Sequence, residues 1–197
     1  MKHEAWKFAV VFTVVLIVGS VVFGSSQDDA YMGLSHGKTD VLGQRARFIG
    51  VNVGSNVSDR VSLGAFAQLN LLSDFPGYDA QVDITETEAA YAFSAGMDMV
   101  VRMFRDAGLN PLLQLAVANT TIGYLERDEQ TGKDSLVMAA NAFTLQVATG
   151  FEIGIFDSLK FLCTHGYRYV AHGPVLDLPV QALSGRYNSF AFRIECF

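Results

Sequence analysis

The chain has little of what many protein classes need for stability or for chemistry. Only two of its 197 residues are cysteine and only four are proline. Two cysteines fit neither a zinc-ligand spacing nor the several bridges of a small secreted scaffold. Only 17% of the residues are charged and the net charge is −6, which gives nucleic-acid binding no electrostatic support. The sequence therefore predicts no metal site, no cofactor and no nucleic-acid partner.

Long apolar runs are also missing after the first two dozen residues, although half of the chain is hydrophobic. No internal stretch is long and apolar enough for a membrane-spanning helix. The apolar residues instead alternate with small or polar ones, most clearly between Ala140 and Phe156. Successive residues of a strand point to opposite faces, so this segment is predicted to be a strand with one apolar face. Such a strand fits a soluble sheet with its apolar face inward, or a membrane barrel with that face toward lipid.

The same alternation recurs in eight segments. They are predicted at 30–37, 44–54, 60–72, 89–104, 111–125, 140–155, 159–172 and 186–197. The connections near 56–59, 105–109 and 156–158 are tight, whereas those at 73–88, 126–135 and 173–185 are long. This asymmetry is typical of up-and-down membrane barrels, with short periplasmic turns and long extracellular loops. The predicted fold is all-β, an eight-stranded antiparallel up-and-down transmembrane barrel.

The amino terminus has the composition of a secretory leader. Lys2 and Lys7 precede an apolar run that ends near Phe23, and Gly24 supplies a small residue for cleavage. The alternative is an uncleaved membrane anchor, but the run is short and is interrupted by glycine and serine. The sequence thus predicts a signal peptide at 1–24 and a barrel domain at 25–197.

The leader, the alternating strands and the carboxyl-terminal residues 189–197 together resemble the small eight-stranded outer-membrane barrels of the OmpA, OmpX and OmpW kind. The resemblance implies an outer-membrane location in a diderm bacterium, with outer-membrane lipid and the barrel-assembly machinery as partners. The terminal Phe197 resembles the signal that this machinery reads. One departure is that Phe190, Phe192 and Ile194 are even-numbered while Phe197 is odd-numbered, so a bulge or an atypical signal is implied.

The inner face of such a barrel is predicted to carry charges of both signs. The six residues are Asp98, Arg102, Glu152, Arg168, Arg193 and Glu195. A barrel of eight strands is just wide enough for side chains to fill its interior, and a buried charge must be paired. These residues are read either as an ion-pair network that plugs the lumen or as the lining of a narrow selective pore.

The opposite face is predicted to contact the membrane. Its residues are Leu63, Leu69, Phe93, Met99, Leu145, Val147, Phe151, Ile153, Phe190 and Phe192. The two cysteines share the parity of this face within the last hairpin. If opposed residues there have numbers summing to about 358, Cys163 and Cys196 lie nearly opposite each other. That register predicts either a disulfide or two small apolar residues packed side by side.

Three functions fit these patterns. The first is a structural, surface-interacting or narrow-pore barrel of the outer membrane, without enzymatic activity. The second is a secreted lipocalin-like barrel that binds an apolar ligand inside. The third is an outer-membrane enzyme that modifies lipids, in which His172 would need a nearby serine such as Ser184 or Ser189. The bulky outer face would cause a soluble barrel to aggregate, which favours the first.

Overall fold

The chain forms a single closed β-barrel in the computed structural model. The structure describes residues 30–41, 44–72, 90–104, 108–127, 134–172 and 184–195. Its eight strands are β1 Ala30–Val41, β2 Gln44–Ser58, β3 Val61–Leu72, β4 Ala90–Arg102, β5 Leu109–Arg127, β6 Asp134–Phe156, β7 Leu159–His172 and β8 Gly185–Glu195. Each strand pairs antiparallel with the next, and β8 pairs with β1 to close the barrel. Within the described ranges, no helix is long and apolar enough to cross a membrane.

The alternation in the sequence becomes an alternation in burial. Along β8 the inward residues Gly185, Tyr187, Ser189 and Arg193 are buried, while the even-numbered residues between them are exposed. The inward side chains are small or polar on most strands because eight strands leave little room at the axis. The fold class predicted from the sequence is confirmed in its strand number, its antiparallel pairing and its closure.

Some strands extend beyond the predicted bounds. β1 continues through Lys38 and Asp40 and remains paired with β2 as far as Val41 and Gln44. Polar residues lowered the strand signal here, but pairing satisfies every backbone group of a hairpin regardless of side-chain type. For the same reason β5 and β6 remain paired from Leu109 to Arg127. The tight turn between β2 and β3 lies at Asp59 and Arg60, at the end of the predicted 56–59 and one residue beyond it.

Gly37 allows the close approach of an aromatic ring within the lumen. A Cβ atom at Gly37 would meet the Asn188 carbonyl and lie 2.6 Å from Cε1 of Phe48. Phe48 stacks on Tyr187 with ring centroids 5.3 Å apart, so the ring cannot move without breaking that stack. We expect Gly37→Ala to lower the free energy of unfolding by about 1–3 kcal/mol, because the added methyl overpacks this site. Urea unfolding of the refolded barrel in lipid vesicles measures the change.

Gly154 provides the matched control for that substitution. It also lies in a strand, but a Cβ atom there would have no neighbour within 4 Å. Gly154→Ala should leave the unfolding free energy nearly unchanged, or raise it slightly, because alanine restricts the unfolded chain. If the two variants lost equal stability, the close packing of Phe48 against Gly37 would not be the cause.

Candidate functional site

Near the tight turns, the lumen contains an ion pair between two strands that are not neighbours in the sheet. Arg102 on β4 donates through Nε to Glu152 Oε1 at 2.7 Å and through Nη2 to Glu152 Oε2 at 3.0 Å. Two parallel bonds of this kind are the strongest geometry for an arginine and a carboxylate. Both side chains are only 5% exposed. The pair therefore joins β4 to β6, two strands that are separated in the sheet by β5.

Arg193 of β8 approaches the same carboxylate from the other side. Its Nη1 lies 3.8 Å from Glu152 Oε2 and donates to Ser62 Oγ at 3.4 Å. Its guanidinium carbon lies 3.9 Å from the centre of the Tyr31 ring. A cation over an aromatic face is stabilised by the ring quadrupole, and the effect is larger where water is excluded. Glu152 stabilises Arg193 only weakly, because its carboxylate is also bound by Arg102. The ring of Tyr31 therefore supplies part of the stabilisation of the Arg193 charge.

Polar side chains extend this pair into a network. Arg102 also donates to Ser62 Oγ at 2.7 Å, and Ser62 donates to Asn56 Oδ1 at 2.7 Å. Asn56 donates to Glu195 Oε1 at 3.3 Å. Glu195 in turn pairs with Lys160 Nζ at 2.7 Å, where the side chains are 11% and 25% exposed. We call these eight residues the lumen network: Tyr31, Asn56, Ser62, Arg102, Glu152, Lys160, Arg193 and Glu195.

The lumen network links seven of the eight strands. Only β5 contributes no member, and β5 lies between the strands that carry Arg102 and Glu152. Because the members come from around the barrel, their side chains converge on the axis. They fill the interior at this level, as expected for so narrow a barrel.

Asp98 lies farther from the tight turns than Arg102 does and lines the same inner cavity as Arg193. Its Oδ2 accepts a hydrogen bond from Gln114 Nε2 at 3.0 Å. Both residues line a narrow cavity of about 40 Å³, together with Asn52, Gln146 and Thr164. In the part of the chain that the structure describes, Asn52 Oδ1, Gln146 Nε2 and Thr164 Oγ1 have no hydrogen-bond partner. A polar cavity of this size suits about three water molecules.

Hydroxyl and amide groups bridge the strands toward the long connections. Ser94 and Thr120 lie 2.8 Å apart, and Thr120 lies 3.1 Å from Thr144. Asn70 accepts from Gln68 at 2.9 Å and donates to the Ala92 carbonyl at 2.9 Å. These short side chains satisfy one another without charge. The polar character of the lumen therefore continues beyond Asp98.

Arg168 occupies the end of the lumen near the long connections. It is buried, and its Nη2 donates to the Asp40 carbonyl at 3.3 Å. The stacked rings of Phe48 and Tyr187 form a small apolar cluster with Ala148. Of the six charges predicted for the lumen, the structure thus brings together Arg102, Glu152, Arg193 and Glu195 in the lumen network. Asp98 lines the same inner cavity as Arg193, and Arg168 lies near the long connections.

An open vestibule lies at the tight-turn end. It has a volume of about 610 Å³ and is bounded by Arg102 and Glu152 on its inner side. Its outer boundary includes Asp59, Asp157 and Lys160. The bidentate ion pair separates this vestibule from the rest of the lumen.

The outward face carries the ten residues predicted to contact the membrane. Leu145, Val147, Phe151, Phe190 and Phe192 are exposed, and Leu63, Leu69, Phe93, Met99 and Ile153 are half-buried between their neighbours. Phe161 packs against Phe190 and Phe192, with ring centroids 6.1 Å and 5.2 Å away. These ten apolar residues therefore lie on the outside of the barrel, whereas Arg102, Glu152 and Arg193 are buried inside it.

The predicted register of the last hairpin is wrong. Cys163 lies opposite Phe190, so opposed residues have numbers that sum to 353 and not to about 358. Cys163 is a free, half-buried thiol on the outer wall. Cys196 lies outside the described residues, as do Phe197 and residues 1–24. The difference arises because β7 continues to His172, four residues beyond Arg168, the last β7 residue that pairs with β8, and parity alone cannot reveal this.

Several members of the lumen network were not predicted. Lys160 has the same inward parity as Arg168 on β7, so that parity was the signal that could have identified it. Ser62 and Asn56 are uncharged and gave no comparable signal. Tyr31 lies on the strand with the weakest alternation, and its stacking on Arg193 depends on barrel closure. No cluster of metal-ligating residues occurs within the ranges described.

Solved outer-membrane proteins share this architecture. Neisserial surface protein A superposes with a TM-score of 0.62 at 14% identity, covering 85% of this chain and 96% of that chain. A major outer membrane protein from Thermus thermophilus gives 0.54 at 10%, covering 85% and 98%. The N-terminal β-barrel domain of Pseudomonas aeruginosa OprF gives 0.52 at 11%, covering 84% and 96%. No protein-family profile and no curated protein sequence matches the chain. The likeness therefore establishes the fold, that of small eight-stranded outer-membrane barrels.

Proposed function

We propose that this protein is an integral outer-membrane barrel with a structural or surface-interacting role, and that the lumen network closes its interior. The observation that carries the proposal is the inverted polarity of the barrel. Leu34 is 66% exposed on the outer wall, whereas the charged Arg193 is 1% exposed in the lumen. A soluble barrel places its apolar residues inside, and a membrane barrel places them outside.

A closed lumen is favoured over an open pore by the arrangement of the cavities. The vestibule ends at Arg102 and Glu152, and the inner cavity has only about 40 Å³. The long buried side chains of Arg102, Glu152 and Arg193 occupy the space between the vestibule and the inner cavity. The charges therefore fit an internal plug better than the lining of an aqueous channel.

The size of the inner cavity also opposes a lipocalin-like function. Pockets for small molecules have volumes of roughly 300–1,000 Å³ and mostly apolar linings. The inner cavity is far smaller, and Asp98, Gln114 and Arg193 contribute to its lining. An apolar ligand would leave these polar groups unsatisfied.

Among the described residues, those suggested for lipid-modifying catalysis do not form a serine–histidine pair. Ser184 Oγ accepts a hydrogen bond from the Val170 amide at 3.0 Å. The side chain of His172 lies outside the described residues. His165 is exposed on the outer wall, 2.6 Å from Asn188 Oδ1. A role without catalysis is therefore the proposal.

The location and partners follow from the same proposal. Export by a leader at 1–24 would deliver the chain to the periplasm of a diderm bacterium. The barrel-assembly machinery would then read the terminal Phe197 and insert the barrel into outer-membrane lipid. The tight turns would face the periplasm and the long connections would face the exterior.

Membrane fractionation tests the proposal directly. We expect the full chain, expressed in a diderm host, to remain in the outer-membrane fraction after washing with alkaline carbonate or concentrated salt. Detergent should extract it, because the apolar outer wall requires an apolar solvent. Release by carbonate or salt alone would show a peripheral or soluble protein and would contradict membrane integration.

A further inference from the structure

Three exposed cations lie together on the outer wall of β2, β1 and β8. Lys38 is directly opposite Arg47 on β2 and directly opposite Asn188 on β8. Arg186 precedes Asn188 by two positions, so it shares the outward face and lies diagonally from Lys38. All three cations are exposed. We call Arg47, Lys38 and Arg186 the basic wall patch.

The basic wall patch is not neutralised by the described side chains around it. Like charges placed directly opposite on antiparallel strands destabilise the pair, which makes the Lys38–Arg47 arrangement unfavourable by itself. Among the described outward positions of β2, β1, β8 and β7, the single carboxylate is Asp40, which is half-buried. Three cations and one anion leave a formal charge of +2. This excess of positive charge would attract an anion from outside the chain.

The patch lies where the outer wall changes from apolar to polar. On one side of it the exposed residues are apolar, and they include Leu34, Ile49, Phe190 and Phe192. Beside the patch, β7 presents Tyr167, which is directly opposite Arg186, and Tyr169; they are 50% and 53% exposed. Tyrosine is enriched at the level of lipid headgroups, and its presence marks that level here. The basic wall patch thus lies on the outer wall at the level expected for lipid headgroups.

Polar groups next to the patch are already oriented. His165 and Asn188 are opposed across β7 and β8, with His165 Nδ1 2.6 Å from Asn188 Oδ1. When Nδ1 carries the proton, His165 donates to that oxygen and fixes the orientation of the amide. The amide nitrogen of Asn188 still has two N–H donors, on the strand adjacent to Lys38. A ligand that carries anionic oxygens would find cations and a neutral donor within the same area.

We propose that the basic wall patch binds the phosphate-bearing headgroup of a membrane lipid, whose acyl chains lie along Leu34, Ile49 and Phe190. Arginine and lysine are suited to phosphate, and the adjacent apolar wall is suited to hydrocarbon. This inference rests on the proposed membrane integration and specifies the lipid chemistry that the barrel selects. The bound lipid would offset the repulsion between Lys38 and Arg47.

Lipid retention in reconstituted bilayers tests this inference. The full chain is inserted into phosphatidylcholine nanodiscs that contain a minor fraction of phosphorylated lipid A, or of the same glycolipid without phosphate. After detergent extraction, native mass spectrometry measures the lipid that remains bound. We expect preferential retention of the phosphorylated form. Affinity should fall roughly fivefold per cation removed, and roughly 100-fold for the combined Lys38→Gln, Arg47→Gln and Arg186→Gln variant.

Arg60→Gln provides the control, because Arg60 is an exposed cation on a tight turn at the other end of the barrel. Equal retention of both glycolipids, or equal losses for Arg60→Gln and Lys38→Gln, would overturn the inference. Displacement of the lipid by millimolar inorganic phosphate alone would show a site for the free anion and would overturn it too. Heat-dependent gel mobility verifies that each variant is folded. Carbonate resistance is measured in parallel, so failure of membrane integration is distinguishable from failure of lipid selection.

Discussion

Glu152→Gln is expected to lower the free energy of unfolding by about 3–5 kcal/mol, the range for breaking a buried ion pair by removing one partner. The carboxylate of Glu152 accepts two bonds from Arg102 and lies 3.8 Å from Arg193. Its neutralisation removes the carboxylate that both lumen guanidinium groups approach. Urea titration in lipid vesicles, followed by far-ultraviolet circular dichroism, measures the loss.

Glu195→Gln is the matched control for that substitution. Glu195 also pairs with one cation, Lys160, at 2.7 Å, but this pair lies at the barrel end and is partly exposed. Water reaches the Lys160–Glu195 pair more readily than the Arg102–Glu152 pair, so its loss should cost less stability. A double-mutant cycle of Glu152→Gln and Arg102→Met should be non-additive. The two substitutions together should lower the free energy of unfolding by less than the sum of their separate effects. Equal losses for Glu152→Gln and Glu195→Gln would contradict the central place of Glu152.

Replacement of the three central charges by serine is expected to convert a closed barrel into a conducting one. In planar bilayers, the native protein should pass no sustained current, because Arg102, Glu152 and Arg193 fill the level between the vestibule and the inner cavity. The variant with Arg102→Ser, Glu152→Ser and Arg193→Ser removes these long side chains and should show resolved single-channel steps. The interior of an eight-stranded barrel is occluded by side chains alone, so shorter side chains open it.

Lys38→Ser is the control for that experiment, because it removes a cation from the outer wall and leaves the lumen unchanged. It should behave as the native barrel does. Sustained current through the native protein would favour the narrow-pore function instead. A silent triple variant that is folded and inserted would show that other residues close the lumen.

The sequence was sufficient to predict the wall of the barrel but not the contacts inside it. Parity along each strand depends only on local alternation, so the placement of Leu145 and Glu152 on opposite faces could be read directly. The partner of Glu152 could not be predicted in this way, because Arg102 lies on a strand that is not adjacent to β6. Such a contact depends on barrel width, strand tilt and side-chain length, none of which alternation records.

The error in the last hairpin has the same origin. The parities of β7 and β8 require opposed residues to sum to an odd number, and 353 and 359 both satisfy this requirement. The structure pairs Cys163 with Phe190 and Leu159 with Ile194. Local patterning therefore allows a set of registers separated by two residues, and only contacts across the barrel distinguish them.

Contacts within the lumen network distinguish the native register from registers that are shifted by two residues. Arg193 and Ser62 are separated by 131 residues, and Asn56 and Glu195 by 139. A slip of β8 by two residues along β1 would keep every apolar side chain outward but would move Arg193 by roughly 6.6 Å. Its guanidinium would then lose Ser62, Glu152 and the Tyr31 ring. Lipid cannot discriminate between the slipped and native barrels, whereas the buried charges can. The native closure of the barrel is thus selected by contacts inside the lumen, which the pattern of the outer wall does not specify.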